Sequence, residues 1–236
     1  MSSELDDLRA DIAQACRVMA GRGLADGVLG HISVRVDADR MLIRCRGPRE
    51  RGLAHTEPAD VGLVDLDGNG DLGDRRPPAE LPLHAEVLRA RPDVRCVVHA
   101  HPFAVVAADL AGHRIRPILG AYDIPGAHLA AGGVPVHPRS VLIRTPELAR
   151  EMVASLGDRP VVLLRGHGVT ATGDTPAEAV LTAASVDVLA RMTLAVASAG
   201  GAPQPIPDAD LAELPDLGPA FFVATAWRHE LARIGE

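Results

Sequence analysis

Two short runs constrain the fold more than any other feature of this chain. Val94–His99 and Pro160–Arg165 are largely apolar and rich in valine and leucine, which predicts strands buried in the interior. Buried strands need cover, and the flanking sequence supplies helices for it. Leu5–Met19 places Leu8, Ile12, Ala15, Cys16 and Met19 at helical spacing, with Ser3 as a candidate cap and Gly21 and Gly23 ending the helix. His31–Val36 and Met41–Arg44 predict short strands around a turn at Val36–Asp39, and Val61–Leu66 predicts a third, closed by the hairpin-turn signal Asp67-Gly68-Asn69-Gly70. Ala79–Arg91 predicts a helix entered through Pro77 and Pro78, with Pro82 tolerated in its first turn. Pro102–Leu110 predicts a short helix and Val141–Arg144 a strand. Thr145-Pro146-Glu147 opens a helix to Leu156, Gly168–Thr172 predicts a strand, and Thr175–Ala199 a long helix. Residues 200–219 form a proline-rich connector, followed by a terminal helix from Ala220 to Ile234. No internal repeat or linker divides the chain, so residues 1–236 read as one mixed-sheet α/β domain flanked by helices.

Composition narrows function. The net charge of −7 argues against a nucleic-acid partner, and the few aromatics leave no stacking platform for bases. No apolar stretch approaches the roughly 20 residues that span a bilayer. Met1–Asp7 is acidic and polar, unlike a signal peptide, so a cytoplasmic protein without a membrane partner is expected. Cys16, Cys45 and Cys96 form no CxxC pair, and Cys16 and Cys96 fall among core positions. All 24 basic residues are arginine. Without lysine there is no side-chain amine for Schiff-base catalysis or for tethering a pyridoxal cofactor. A carbanion made here calls for a metal as electron sink.

The metal-binding candidates follow the two apolar runs. In His99-Ala100-His101, residues two apart on a strand point to the same side, which suits two ligands of one metal. In Arg165-Gly166-His167-Gly168, a histidine between glycines sits where the backbone turns sharply, as a ligand or as a plain turn residue. If the two strands are neighbours ending on one side, the three imidazoles converge in the three-ligand pattern of a catalytic metal. Glu80 opens the helix that leads to His99. It can ligate the metal, move a proton, or simply favour the helix dipole. His84, one turn on, reads as a packed, hydrogen-bonded histidine. His55, His113, His128, His137 and His229 read as exposed or structural. Asp65-x-Asp67-x-Asn69-Gly70 imitates a calcium loop, but its twelfth position is Arg76 and a strand precedes it, so it reads as a turn.

Gly30-His31-Ile32-Ser33-Val34-Arg35, Glu80-x-x-x-His84, Arg91-Pro92-Asp93-Val94, Val97-Val98-His99-Ala100-His101 and Gly166-His167-Gly168 occur in that order, and together they resemble the class II aldolase/adducin family. The resemblance covers Leu8 to Leu194. It implies an α/β/α fold around a largely antiparallel sheet, a divalent metal on His99, His101 and His167, and Glu80 as acid/base and fourth ligand. It also implies a homotetramer with active sites at subunit interfaces.

The sugar-phosphate aldolases of that family hold phosphate with an asparagine, a Thr-Gly pair and two serines. Here His31 follows Gly30, Arg46 precedes Gly47, and Pro78 and Ala79 precede Glu80. The family aldolases also use a tyrosine near Tyr122, at a slightly different spacing. Arg44, Arg46, Arg49 and Arg51 crowd one segment, as a solvated loop or as a guanidinium site for a carboxylate. The pattern resembles most the family's decarboxylases of hydroxylated aromatic dicarboxylates such as dihydroxyphthalate. The expected activity is therefore a metal-dependent decarboxylase of a small acidic substrate, with Gly30, His31, Arg46 and Gly47 binding substrate and Glu80 and Tyr122 catalytic. One zinc or manganese ion per subunit is expected, with cobalt or iron as alternatives. A retro-aldol lyase or epimerase on a sugar phosphate, a non-haem iron oxygenase and a non-catalytic adducin-like assembly module are the competing readings.

Overall fold

A computed structural model describes residues 2–236. In chain order the elements are α1 (Ser2–Gly21), β1 (His31–Arg35), β2 (Arg40–Arg44), β3 (Val61–Asp65), α2 (Leu81–Ala90), β4 (Cys96–Ala100), α3 (Phe103–Leu110), α4 (Ile124–Leu129), β5 (Val136–His137), α5 (Pro146–Leu156), β6 (Val161–Leu164), β7 (Gly168–Gly173), α6 (Pro176–Ser198), α7 (Asp208–Glu213), α8 (Gly218–Phe221) and α9 (Trp227–Ile234). The strands form a single seven-stranded sheet ordered β3-β2-β1-β4-β7-β6-β5. Every pairing is antiparallel except β5 with β6.

Helices cover both faces, which is why the central strands read as continuous apolar runs rather than alternating ones. On one face, Ile12, Cys16 and Met19 of α1, Val105 of α3, and Val180, Val186 and Leu189 of α6 pack on Ile32, Val34, Val98 and Ala171. On the other, Leu83 and Val87 of α2 and Met152 and Leu156 of α5 pack on Met41, Ile43, Val97, Val162 and Leu164. Cys16 and Cys96 are core residues, as expected, and Cys45 is also buried and free.

Several local expectations are corrected. Helix α1 begins at Ser2, so Ser3 lies inside it and caps nothing. Helix α2 begins at Leu81, leaving Glu80 as its N-cap residue. Val141–Arg144 forms no strand; it is a loop whose Ile143 N–H bonds the Glu80 carboxylate. The turn after β3 is closed by Asp65, whose carboxylate accepts from the N–H groups of Asp67 and Asn69, but no second strand returns to pair there. An isolated antiparallel bridge joins the chain instead at Arg46 and Arg76. The connector 200–219 contains α7, and the terminal helix is interrupted at Phe222–Ala226 by a wider turn. Helix α6 is long and apolar enough by composition to cross a membrane, contrary to the expectation that no such stretch exists; most of it is buried against the sheet. Thr145 and Thr175 cap α5 and α6, accepting from Leu148 and Glu178 as their spacing predicts.

Candidate metal centre

Strands β4 and β6 are not neighbours: β7 lies between them, antiparallel to both. They therefore run in the same direction and end on the same side. His101 leaves the end of β4, and His167 sits in the tight connection from β6 to β7. Gly168 makes that approach possible, because a side chain there would collide with the carbonyl oxygen of Ala100. On the other side of β4, His31 of β1 is the register partner of His99. Gly30 precedes it with φ +82°, and a Cβ at that position would press on Ala25 and on the His99 carbonyl. Helix α2 then lays Glu80 and His84, one turn apart, over these strands.

The Glu80 side chain makes no capping bond to its own helix. One oxygen accepts the Ile143 N–H at 2.9 Å. The other lies 3.3 Å from His99 Nε2, 3.7 Å from His167 Nε2 and 3.9 Å from His31 Nε2. His99 Nδ1 is 3.0 Å from the Val169 carbonyl, so it donates there and leaves Nε2 as a bare lone pair. His101 Nε2 is 2.7 Å from that atom. One ligand atom each from Glu80, His99, His101 and His167 falls within 4.8 Å of all the others.

These residues fit a divalent metal. Among the described residues, His167 Nε2 is buried with no hydrogen-bond partner, a costly arrangement that a cation relieves. Three imidazoles and one carboxylate are a donor set common to zinc, manganese, cobalt and iron sites. The electrostatics agree. Burial pushes His101 down to about 3, with His99 and His167 adding to the shift, and burial together with His99 lowers His167. Burial acts to raise the Glu80 carboxyl, but the His31 side chain and the Ile143 N–H work against it, and the carboxyl is held well below the usual carboxylate range. A neutral His101, a neutral His167 and an ionised Glu80 are the forms that metal ligation requires.

The other candidates separate. His31 is buried beside Glu80, and burial lowers it to about 4 against the pull of that carboxylate. Arg46 is half-buried, with its guanidinium on the Val28 carbonyl at 2.6 Å, close enough for its charge to depress His31 and to feel Glu80. The rest of the arginine segment does other work. Arg44 is buried and paired with Glu50 at 2.5 Å, and Arg51 pairs with Glu57 on the surface. Gly47 abuts Arg75 rather than the cluster. Tyr122 stands 76% exposed, outside the cluster. His84 is fully buried and hydrogen-bonded to His31 and Ser33, a packed histidine as expected. His55, His128 and His229 are exposed, His113 is half-buried, and His137 is buried in β5. Sequence reasoning missed Ile143, whose backbone anchors Glu80, because a loop N–H carries no side-chain signature. It also gave Ser33, part of the Gly30–Arg35 motif, no role.

Residues 10–194 match the Class II Aldolase and Adducin N-terminal domain. The chain belongs to the class II aldolase and adducin family. Within this family it is 64% identical over 231 residues to a 3,4-dihydroxyphthalate decarboxylase of Arthrobacter keyseri, covering 96% of this chain and 93% of that one. A 5-methylthioribulose-1-phosphate/5-deoxyribulose-1-phosphate aldolase of Rhodospirillum rubrum is 35% identical over 78% of each chain. The fold matches that of an aldolase II superfamily protein from Pseudomonas syringae, with a TM-score of 0.81 at 22% identity, covering 99% of this chain and 94% of that one. The class II aldolase fold and the mostly antiparallel sheet are as the resemblance implied.

Proposed function

We propose that this protein is a divalent-metal-dependent lyase that decarboxylates 3,4-dihydroxyphthalate or a similar dihydroxylated aromatic dicarboxylate. The observation that carries the reading is the pairing of an intact four-donor cluster with a half-buried arginine at its rim. Arg46 offers a guanidinium fork for a carboxylate, in a place where sugar-phosphate enzymes of the family hold a phosphate with small hydroxyl and amide donors. The 64% identity to a named dihydroxyphthalate decarboxylase supports the same reading, against 35% to the sugar-phosphate aldolase.

A metal held by His99, His101, His167 and Glu80 supplies Lewis acidity that stabilises negative charge on the substrate's oxygens; zinc and manganese suit this set best. The remaining chemistry belongs to the chain. Arg46 and His31 hold the carboxylate that stays. Glu80, ionised and fixed by Ile143, accepts the proton of a ring hydroxyl and returns one to the ring carbon as carbon dioxide departs. One carbon–carbon bond breaks and one carbon–hydrogen bond forms, so no oxidant is needed.

The assembly proposed is a homotetramer with the site at a subunit interface. Leu29, Phe103 and Leu142 are large, exposed apolar residues, and each lies within two residues of His31, His101 or Ile143. An apolar rim around a polar centre suits a subunit contact. Exposed Tyr122 takes a catalytic place only across such a contact. A cytoplasmic location is part of the same reading.

The test is carbon dioxide release from 3,4-dihydroxyphthalate by zinc- or manganese-loaded protein, beside L-fuculose 1-phosphate. Release from the aromatic acid is the expected result. Cleavage of the sugar phosphate alone would return the protein to the aldolase branch.

A further inference from the structure

A second buried polar group lies beside the metal ligands, and its hydrogen bonds have a direction. Ser33 Oγ is 2.7 Å from His84 Nδ1, and His84 Nε2 is 2.7 Å from His31 Nδ1. His31 Nε2 then faces Glu80 at 3.9 Å. Ser33 and His84 are completely buried and His31 is 4% exposed. With three groups in series and neutral rings, only two arrangements are possible. In one, Ser33 donates to His84, His84 donates to His31, and His31 Nε2 carries a hydrogen. In the other, every bond is reversed and His31 Nε2 presents a lone pair.

Donor accounting chooses between them. Among the described residues the Ser33 hydroxyl has no partner except His84. In the reversed arrangement its O–H would point at nothing in a dry interior, which native proteins avoid. In the forward arrangement the O–H, the His84 N–H and both accepting nitrogens are all used. The forward arrangement also accords with the metal cluster, which is complete without His31.

We infer that Ser33 and His84 are positioning residues that fix His31 as its Nε2–H tautomer, making His31 a hydrogen-bond donor aimed at the site and not a metal ligand. No group in the series changes charge in this role. The donor faces the space next to Glu80, where it suits an oxygen of an acidic substrate, and that last step rests on the decarboxylase reading. The tautomer itself does not.

Two-bond ¹H–¹⁵N correlation spectra of ¹⁵N-labelled full-length protein test the inference, with His31→Gln and His84→Gln assigning the rings. Spectra are taken metal-free and zinc-loaded. The expected result is the Nε2–H pattern for both His31 and His84 in each state. In Ser33→Ala the direction loses its anchor, so His31 should become a mixture of tautomers, and Ser33→Thr should restore the single form. An Nδ1–H pattern for His31 in the unaltered protein would overturn the inference, whatever the variants do. So would a His31 signal in folded Ser33→Ala that is unchanged. A wild-type Nε2–H pattern together with no carbon dioxide release would retain the tautomer and discard the decarboxylase.

Discussion

Two clusters of imidazoles sit side by side over the same strand ends, and they are built on opposite principles. In the cluster of His99, His101, His167 and Glu80, lone pairs converge and His167 Nε2 has no partner among the described residues. In the series Ser33–His84–His31, each ring nitrogen between the ends of the chain is matched. The first arrangement leaves an unpartnered nitrogen that suits a cation; the second completes itself. The lesson is that a buried histidine declares its role by what its nitrogens lack, not by how deep it lies. His99 and His84 are both fully buried, yet one presents a bare nitrogen to the shared centre and the other does not.

The largest effects should come from the unsatisfied cluster. His99→Ala or His167→Ala should abolish metal binding and carbon dioxide release while the fold persists, measured by metal content, activity and circular dichroism. Full activity in either would dissolve the distinction between the clusters. Glu80→Gln keeps an oxygen near the metal but loses the base. Metal content should remain while turnover falls by roughly 10²–10⁴-fold, the usual worth of general acid–base catalysis.

His84→Ala should sharpen the contrast from the other side. It removes a core ring and strands the Ser33 hydroxyl and His31 Nδ1, so the expected cost is roughly 2–5 kcal/mol of stability in urea unfolding. Metal content should stay at wild-type level. A variant that keeps its stability but loses its metal would place His84 with the ligands.

The part of this contrast visible in the sequence was the part written in strand periodicity. HxH at the end of an apolar run and a histidine between glycines after another pointed to the three imidazoles that the structure gathers around Glu80. Convergence was made conditional on their strands adjoining; β7 intervenes instead, and the imidazoles still meet because two antiparallel steps restore the direction. Elements held by tertiary contacts left little trace. The two-residue β5 is too short for a pattern, and Val141–Arg144 has strand composition but no strand to pair with. The Ile143 N–H that anchors Glu80 could not be read from a side chain. The arginine segment looked uniform and is not: Arg44 is consumed by Glu50, whereas Arg46 rests on the Val28 carbonyl with no carboxylate partner among the described residues.

Arg46→Ala therefore separates recognition from chemistry. A charge-assisted hydrogen bond is worth about 1.5–3 kcal/mol, so KM for the acidic substrate should rise by roughly 10–100-fold with a much smaller change in kcat. An unchanged KM would remove Arg46 from the substrate pocket and leave the segment as surface.

The smallest effect is a matter of degree, in acid. His31 has an ordinary value of 6.5 and is lowered to about 4 by burial, and His101 is lowered to about 3. In metal-free protein the unfolded chain takes up these protons first. Stability is therefore complete above pH 6.5 and falls as the pH drops toward about 4 and 3. For a group as buried as His31 the slope is at most about 1.4 kcal/mol per pH unit within that window. Glu80, held low in the folded state, adds a loss of the same sign as the pH falls below its ordinary 4.5. Urea unfolding of metal-free protein from pH 7.5 to 4.5 checks the sign. His31→Gln has no ring to protonate, so it should flatten the early part of the decline. A profile as steep as wild type would show that His31 is already charged in the folded protein, and the series from Ser33 would then have no neutral ring at its end.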